Sequence, residues 1–208
     1  MKTPTAVLVA ARRRDATATR VAILDSARRA FARAGYDGAG VREIASGAGV
    51  TAMLVNRYFG SKEQLFTEVV EQTMTSNSLI AGGIMDAPNP GRALAEALVK
   101  MTRADIAPLD GFLITFHSAS SPSAAKIGRD MIAAHHLKTV AKSLDGKLAD
   151  ERAGLLLAVI SGFQVMRQMI ALPALANASE EKLVQLLAVV FDGLIQPPAK
   201  ETGRKKSS

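Results

Sequence analysis

The chain has no cysteine among its 208 residues. That excludes a disulfide, a thiolate metal site and a cysteine nucleophile. Aromatic residues make up only 4% of it, and no sustained apolar–polar alternation marks a strand. No run of about 18 apolar residues offers a membrane span. The apolar patch from Ala6 to Ala11 precedes Arg12, Arg13 and Arg14, whereas a signal peptide puts its basic residues before a longer apolar run. The expectation is a cytoplasmic chain that opens with a flexible basic arm over residues 1–16. Enzyme signatures are missing as well. Gly38 and Gly40 lead to Glu43 rather than to a third glycine, and there is no phosphate-binding loop, no H-E-x-x-H and no G-x-S-x-G. Ser118, Ser120, Ser121 and Ser123 share a loop without a placed base. The three histidines, His117, His135 and His136, make no i, i+4 pair with carboxylates, so no metal site is expected. Nothing calls for a cofactor, and the chain does not read as an enzyme.

What is present is charge at one end and helical periodicity throughout. Net charge is +7, and the whole excess lies within residues 1–62. The remainder is balanced. A basic segment beside a neutral body is the electrostatic footprint of a polyanion binder. Arg28, Arg29 and Arg33 read as a solvated helix face rather than as direct contacts. All eight prolines fall between periodic apolar segments, the placement an all-α chain needs. About nine helices are expected. The first runs from Thr17 to Ala34 and is ended by Gly35. Two short ones follow, and a fourth starts at Ser61 with Gln64 at capping-box spacing. Later segments cover 92–102, 108–118, 122–144 (Ser121 as cap, Pro122 at the first position), 150–172 and 179–195. Residues 82–91 are the clearest break. The tail 197–208 is expected to be disordered.

The stretch from Val41 to Lys62 carries most of the functional information. Val41, Ile44, Ala45 and Ala48 space apolar groups along a short helix. Gly47 and Gly49 supply the positive φ of a sharp turn. Thr51 caps a second helix anchored by Leu54, Val55 and Tyr58. A helix, a glycine turn and a second helix form a helix-turn-helix, whose second helix enters the DNA major groove.

Five blocks appear in order. They are Thr19-Arg20-x-x-Ile23-Leu24, Phe31-Ala32-x-x-Gly35-Tyr36, Val41-Arg42-Glu43-Ile44-Ala45, Ala48-Gly49-Val50-Thr51 and Tyr58-Phe59-Gly60-Ser61-Lys62-Glu63-x-Leu65. Over residues 17–70 the chain resembles the TetR (tetracycline-repressor-like) family of transcriptional regulators. The resemblance implies an N-terminal three-helix DNA-binding domain, 17–62, and a larger helical effector-binding and dimerisation domain, 63–196. It further implies a homodimer on a palindromic double-stranded operator, released by a small-molecule effector. Two positions depart from the family pattern: Gly40 stands where threonine is frequent, and Asn56 where tyrosine is frequent. The operator sequence therefore cannot be carried over.

Seven residues are candidates for DNA contact. Tyr58 and Lys62 fall where the family contacts phosphate, and Lys62 adds charge at the start of the fourth helix. Arg42 can bond a phosphate oxygen or reach a guanine edge, and Thr51 can bond a phosphate or serve only as a cap. Ala52 and Met53 can touch thymine methyls, and Asn56 can pair with adenine. Tyr58 can instead pack with Phe59, and the arm of Arg12 to Arg14 can reach a minor groove. Phe112, Phe116, His117, Met131, His135, Phe163 and Met166 are candidates for an apolar effector cavity. The alternative for each is ordinary core or, for the histidines, a polar edge. Leu155, Leu156, Val159, Ile160, Leu183, Leu186, Leu187 and Val190 exceed what one inward stripe needs, which points to a two-fold interface of four helices. The competing reading is a nonspecific architectural DNA binder, which sequence preference in binding would separate from a regulator.

Overall fold

The computed structural model describes residues 4–76 and 83–197, with side-chain surroundings for 15–74 and 83–197. Every regular element among them is helical. In order they are α1 (Pro4–Gly38), α2 (Val41–Gly47), α3 (Ala52–Phe59), α4 (Lys62–Ser76), α5 (Pro90–Met101), α6 (Asp110–His117), α7 (Pro122–Ile132), α8 (Lys138–Lys142), α9 (Ala149–Gln164), α10 (Pro173–Ala176) and α11 (Glu180–Ile195). Pro90, Pro122 and Pro173 each sit in a first turn, where the missing N–H has no helical partner to lose. No helix among the described residues is long and apolar enough to cross a membrane.

Three expectations need correction. The backbone is helical from Pro4, so residues 4–16 are the first turns of α1 and not an arm. Alanine and arginine, both strong helix formers, fill that stretch after a proline suited to a helix start. The side chains of Arg12 to Arg14 and the tail from 198 lie outside the described residues. Periodicity predicts one helix each for 122–144 and 150–172. Instead π-helical turns interrupt them at Ala133–Leu137 and Val165–Met169. Such single-turn insertions leave no hydropathy signature. Ser121 does precede α7, but its hydroxyl donates to Asp37 at 3.2 Å rather than capping the helix.

The chain forms two compact units. One comprises 1–77 and 109–133, the other 78–108 and 134–208. The boundary therefore differs from a division after residue 62. In the first unit Ile23, Ala27 and Phe31 of α1 share a core with Ile44, Val55, Phe66 and Val69, and also with Ile114 of α6 and Ala124 of α7. Phe31 and Tyr36 each meet the Phe66 ring edge-on at 5.0 Å. Helices α4, α6 and α7 complete the core that α1–α3 begin.

The seam between α1 and α6 is polar as well as apolar. Arg28 pairs with Asp110. His117 Nδ1 lies 2.7 Å from the Ala32 carbonyl, and the Tyr36 N–H donates to Ser118 Oγ at 2.9 Å. Gly35, with φ 66° and ψ −175°, breaks α1 there. A Cβ on it would stand 2.4 Å from the His117 carbonyl oxygen.

In the second unit Leu94, Leu98 and Val99 of α5 pack with Val140, Leu156, Phe163, Leu183, Leu187 and Phe191. Two arginines are buried among them. Arg152 donates to the Ile195 carbonyl at 2.9 Å, at the end of α11. Arg167 donates to the Val99 carbonyl at 2.7 Å, at the end of α5. Each places a cation at a helix C-terminus, where the dipole favours it.

Candidate nucleic-acid interface

The turn between α2 and α3 is built by two glycines with different tasks. Gly49 has φ 67°, the left-handed conformation that side chains resist. Gly47, expected to share it, is helical. Its role is proximity: a Cβ there would stand 2.4 Å from Ser26 Oγ. That hydroxyl donates to the Ile44 carbonyl at 2.8 Å, a second bond to an oxygen that also accepts from the Ala48 N–H at 3.1 Å. The Val50 N–H returns to Ala45 O at 2.9 Å and closes the turn. Thr51 Oγ1 then accepts from the Leu54 N–H at 3.3 Å. Val55 and Phe59 are buried, which fixes the roll of α3. Ser61 Oγ accepts from the Gln64 N–H at 3.1 Å and starts α4 as its spacing predicts.

With Val55 and Phe59 inside, the opposite face of α3 is set. Met53 is 82% exposed, and Asn56 and Arg57 are exposed beside it. Arg57 is not among the seven candidates, although its place four residues after Met53 signals the same face. Arg42 and Thr51 are exposed and Ala52 is half-buried. Tyr58 is also half-buried, its ring 6.4 Å from that of Phe59, so packing and an outward hydroxyl are compatible. Lys62 Nζ stands 4.6 Å above the centre of the Tyr36 ring, a cation–π contact that holds the ammonium in place. Burial, then Glu63 and Asp37, raise the Tyr36 pKa, so that ring stays neutral.

The basic excess is partly taken up inside the unit. Arg20 pairs with Glu68 at 2.6 Å, Arg28 with Asp110 and Arg33 with Glu43. Arg33 keeps 69% of its side chain exposed and Arg28 39%, so the face is solvated while each also bonds a neighbouring helix. Arg29, Arg42 and Arg57 make no ion pair among the described residues. Among those residues no cluster of three or more potential ligands could hold a metal.

The seven effector candidates are divided. Phe112, Phe116, His117 and Met131 belong to the first unit, and His135, Phe163 and Met166 to the second. Phe112 and Phe116 stack at 6.0 Å, and Met131 packs on the first core. His117 is engaged by Ala32 in the seam, a structural task that its sequence neighbourhood does not reveal. Phe163 is 9% exposed and Met166 45%.

Two family models match in tandem: bacterial regulatory proteins of the tetR family over residues 23–69 and the tetracyclin repressor-like C-terminal domain over 89–195. The chain belongs to the TetR family. Its members are DNA-binding helix-turn-helix transcription regulators, and ligand binding in the C-terminal domain is typical of them. No curated protein matches the chain. Among solved structures, a transcriptional regulator from Rhodococcus sp. Rha1 is 26% identical, with a TM-score of 0.61, over 84% of this chain and 94% of that one. The multidrug binding protein EbrR, solved with ethidium, aligns at TM-score 0.64 and 18% identity over 87% of this chain and 99% of that one. The fatty acid degradation regulator FadR from Bacillus halodurans aligns at 0.59 and 18% over 81% and 97%. These last two establish fold only.

In this TetR-family regulator the candidate dimer residues separate by burial. Leu156, Ile160, Leu183 and Leu187 are at most 9% exposed and form the core of the second unit. They are corrected from interface to core, because α9 and α11 pack α5 and each other with that stripe. Leu155, Leu186 and Val190 are 54%, 69% and 45% exposed, and Val159 is half-buried. Val189, outside the eight candidates, is 73% exposed.

Proposed function

We propose that this TetR-family regulator is a homodimeric repressor that reads a palindromic operator with α3 and leaves it when an effector occupies the C-terminal domain. The observation that carries the reading is the outward face of α3. A methionine left 82% exposed stands beside an asparagine and an arginine that has no ion pair among the described residues. Those three suit base edges: a thymine methyl, an adenine and a guanine or phosphate. Arg42, Thr51, Tyr58 and Lys62 flank that face and supply phosphate contacts that set register. Ala52 stands at the same end of α3, within reach of a thymine methyl.

Leu155, Leu186, Val189 and Val190 support a two-fold contact through α9 and α11, where a second copy would cover apolar surface that water now meets. Added Cβ atoms at Gly162 and Gly193 would meet nothing within 4 Å, so helices can approach closely there. In the second unit Phe163, Met166 and His135 are the effector candidates. In the first unit Phe112 and Phe116 stack on each other, with Phe116 43% exposed, and Met131 packs on the core from α7.

Selection from a random duplex pool at near-physiological salt tests the reading. A recovered palindrome with two half-sites supports it. Salt-sensitive binding without a motif would return the architectural alternative, and no binding would remove DNA recognition altogether.

A further inference from the structure

Arg167 is a buried charge of the second unit that has no ion pair among the described residues. It is 8% exposed and stands in the π-helical turn Val165–Met169. Its Nη1 donates to the Val99 carbonyl and to Thr102 Oγ1 at 2.7 and 3.0 Å. The guanidinium carbon lies 5.7 Å from the centre of the Phe163 ring. No carboxylate among the described residues is within ion-pair distance. Glu180 is held at both oxygens by Arg103, through Nε at 2.6 Å and Nη2 at 2.7 Å. Buried charges are ordinarily paired, because lost hydration is costly. Burial accordingly lowers the pKa of Arg167, Glu180 opposes the shift, and Arg103 adds to it.

The unused side of the group is its Nε–Nη2 edge, the edge with which Arg103 takes Glu180 side-on. On Arg167 neither nitrogen has a protein partner among the described residues, and neither is sealed from solvent. Among the described residues the sealed, unpartnered side-chain polar atoms are Arg152 Nε and Gln168 Oε1. Gln168 lies on the same π turn and donates through Nε2 to the Ile106 carbonyl at 2.6 Å. The same elements expose apolar groups: Ile106, Met166, Ile170 and Leu172 are 37–59% exposed.

We propose that Arg167 is an anion-recognition site and that the effector of this regulator is an organic acid. Its carboxylate takes the Nε–Nη2 edge side-on, and its apolar body lies along Phe163, Met166 and Ile170. The fork geometry of a guanidinium matches a planar carboxylate. Arg167 and Gln168 also hold residues 99–106, the stretch of chain that leads into α6. A ligand that draws Arg167 away from Val99 and Thr102 loosens that stretch. The inference rests on the ligand-responsive reading above and names the ligand class for it.

The test uses the full-length protein bound to a duplex recovered by selection. Decanoate and 3-phenylpropionate are compared with their primary amides and with ethidium, following release by fluorescence anisotropy and direct binding by calorimetry. The expected result is that at least one acid binds and releases the duplex about tenfold more effectively than its amide. That preference should vanish in Arg167→Gln while affinity for the duplex is kept. If Arg167→Gln does not fold, Arg167→Lys, which retains charge without the fork, should lose most of the preference. Equal action of acid and amide, an acid preference that survives substitution, or no acid binding at millimolar concentration each overturns the proposal. Release by ethidium with no response to the acids overturns it while leaving ligand response intact. No release by any probe counts against both.

Discussion

At the scale of single residues, glycines decide more than their size suggests. Gly35 combines a backbone conformation open essentially to glycine alone with the close approach of the His117 carbonyl. Gly35→Ala should therefore cost about 1–3 kcal/mol from backbone strain and more from steric overlap, read as a lowered urea midpoint. An unchanged midpoint would mean that α1 and α6 do not meet as described. Gly47→Ala pushes on Ser26 Oγ and costs the bond by which α1 holds the Ile44 carbonyl, so it should weaken folding of the turn and operator binding together. Lys62→Ala should lower affinity alike for all sequences and make the salt slope shallower by about one phosphate's worth. An unchanged slope would reduce Lys62 to its packing on Tyr36. Such details are only partly legible in the chain. Thr51 and Ser61 announce caps through spacing to Leu54 and Gln64, and the structure bears them out. That Gly47 serves proximity and Gly49 backbone freedom cannot be read from two glycines in a turn, because the difference lies in where Ser26 arrives.

Between elements, the sequence tells which helices exist better than it tells which pack together. Proline spacing and the 3.6 period mark α4, α5 and α11 nearly as found, since both signals are local. The π turns at 133–137 and 165–169 are invisible to the same test. So is the return of α6 and α7 to the core of α1: Ile114 and Ala124 look like any apolar helix residues until Phe31 and Phe66 require a cover. The seam they form is testable. Ser118 is 2% exposed and its oxygen satisfies the Tyr36 N–H. Ser118→Ala leaves a buried donor and should cost about 1–3 kcal/mol, with the denaturant m-value unchanged. Full stability in that variant would show the seam to be wetter than this geometry implies.

For the whole molecule the question is which apolar surface is left over. Eight residues of α9 and α11 exceed the needs of one stripe by periodicity, but the sequence cannot say which half turns inward. Burial divides them, and Leu155, Leu186, Val189 and Val190 stay outside. Leu186→Glu with Val189→Glu should yield a folded monomer by light scattering at micromolar concentration and a large loss of operator affinity. A dimer that persists would place the two-fold interface elsewhere.

The central claim is that the outer face of α3 reads sequence. The most direct measurement is the affinity of wild-type protein and of a Met53→Ala, Asn56→Ala double variant for the selected palindrome and for a scrambled duplex. Neither substitution changes charge, so affinity for the scrambled duplex should hold. The preference for the palindrome should fall at least tenfold, since reading a base edge well is worth about 1–3 kcal/mol. A double variant that keeps the full preference would contradict the account, because it would place sequence reading on some other surface.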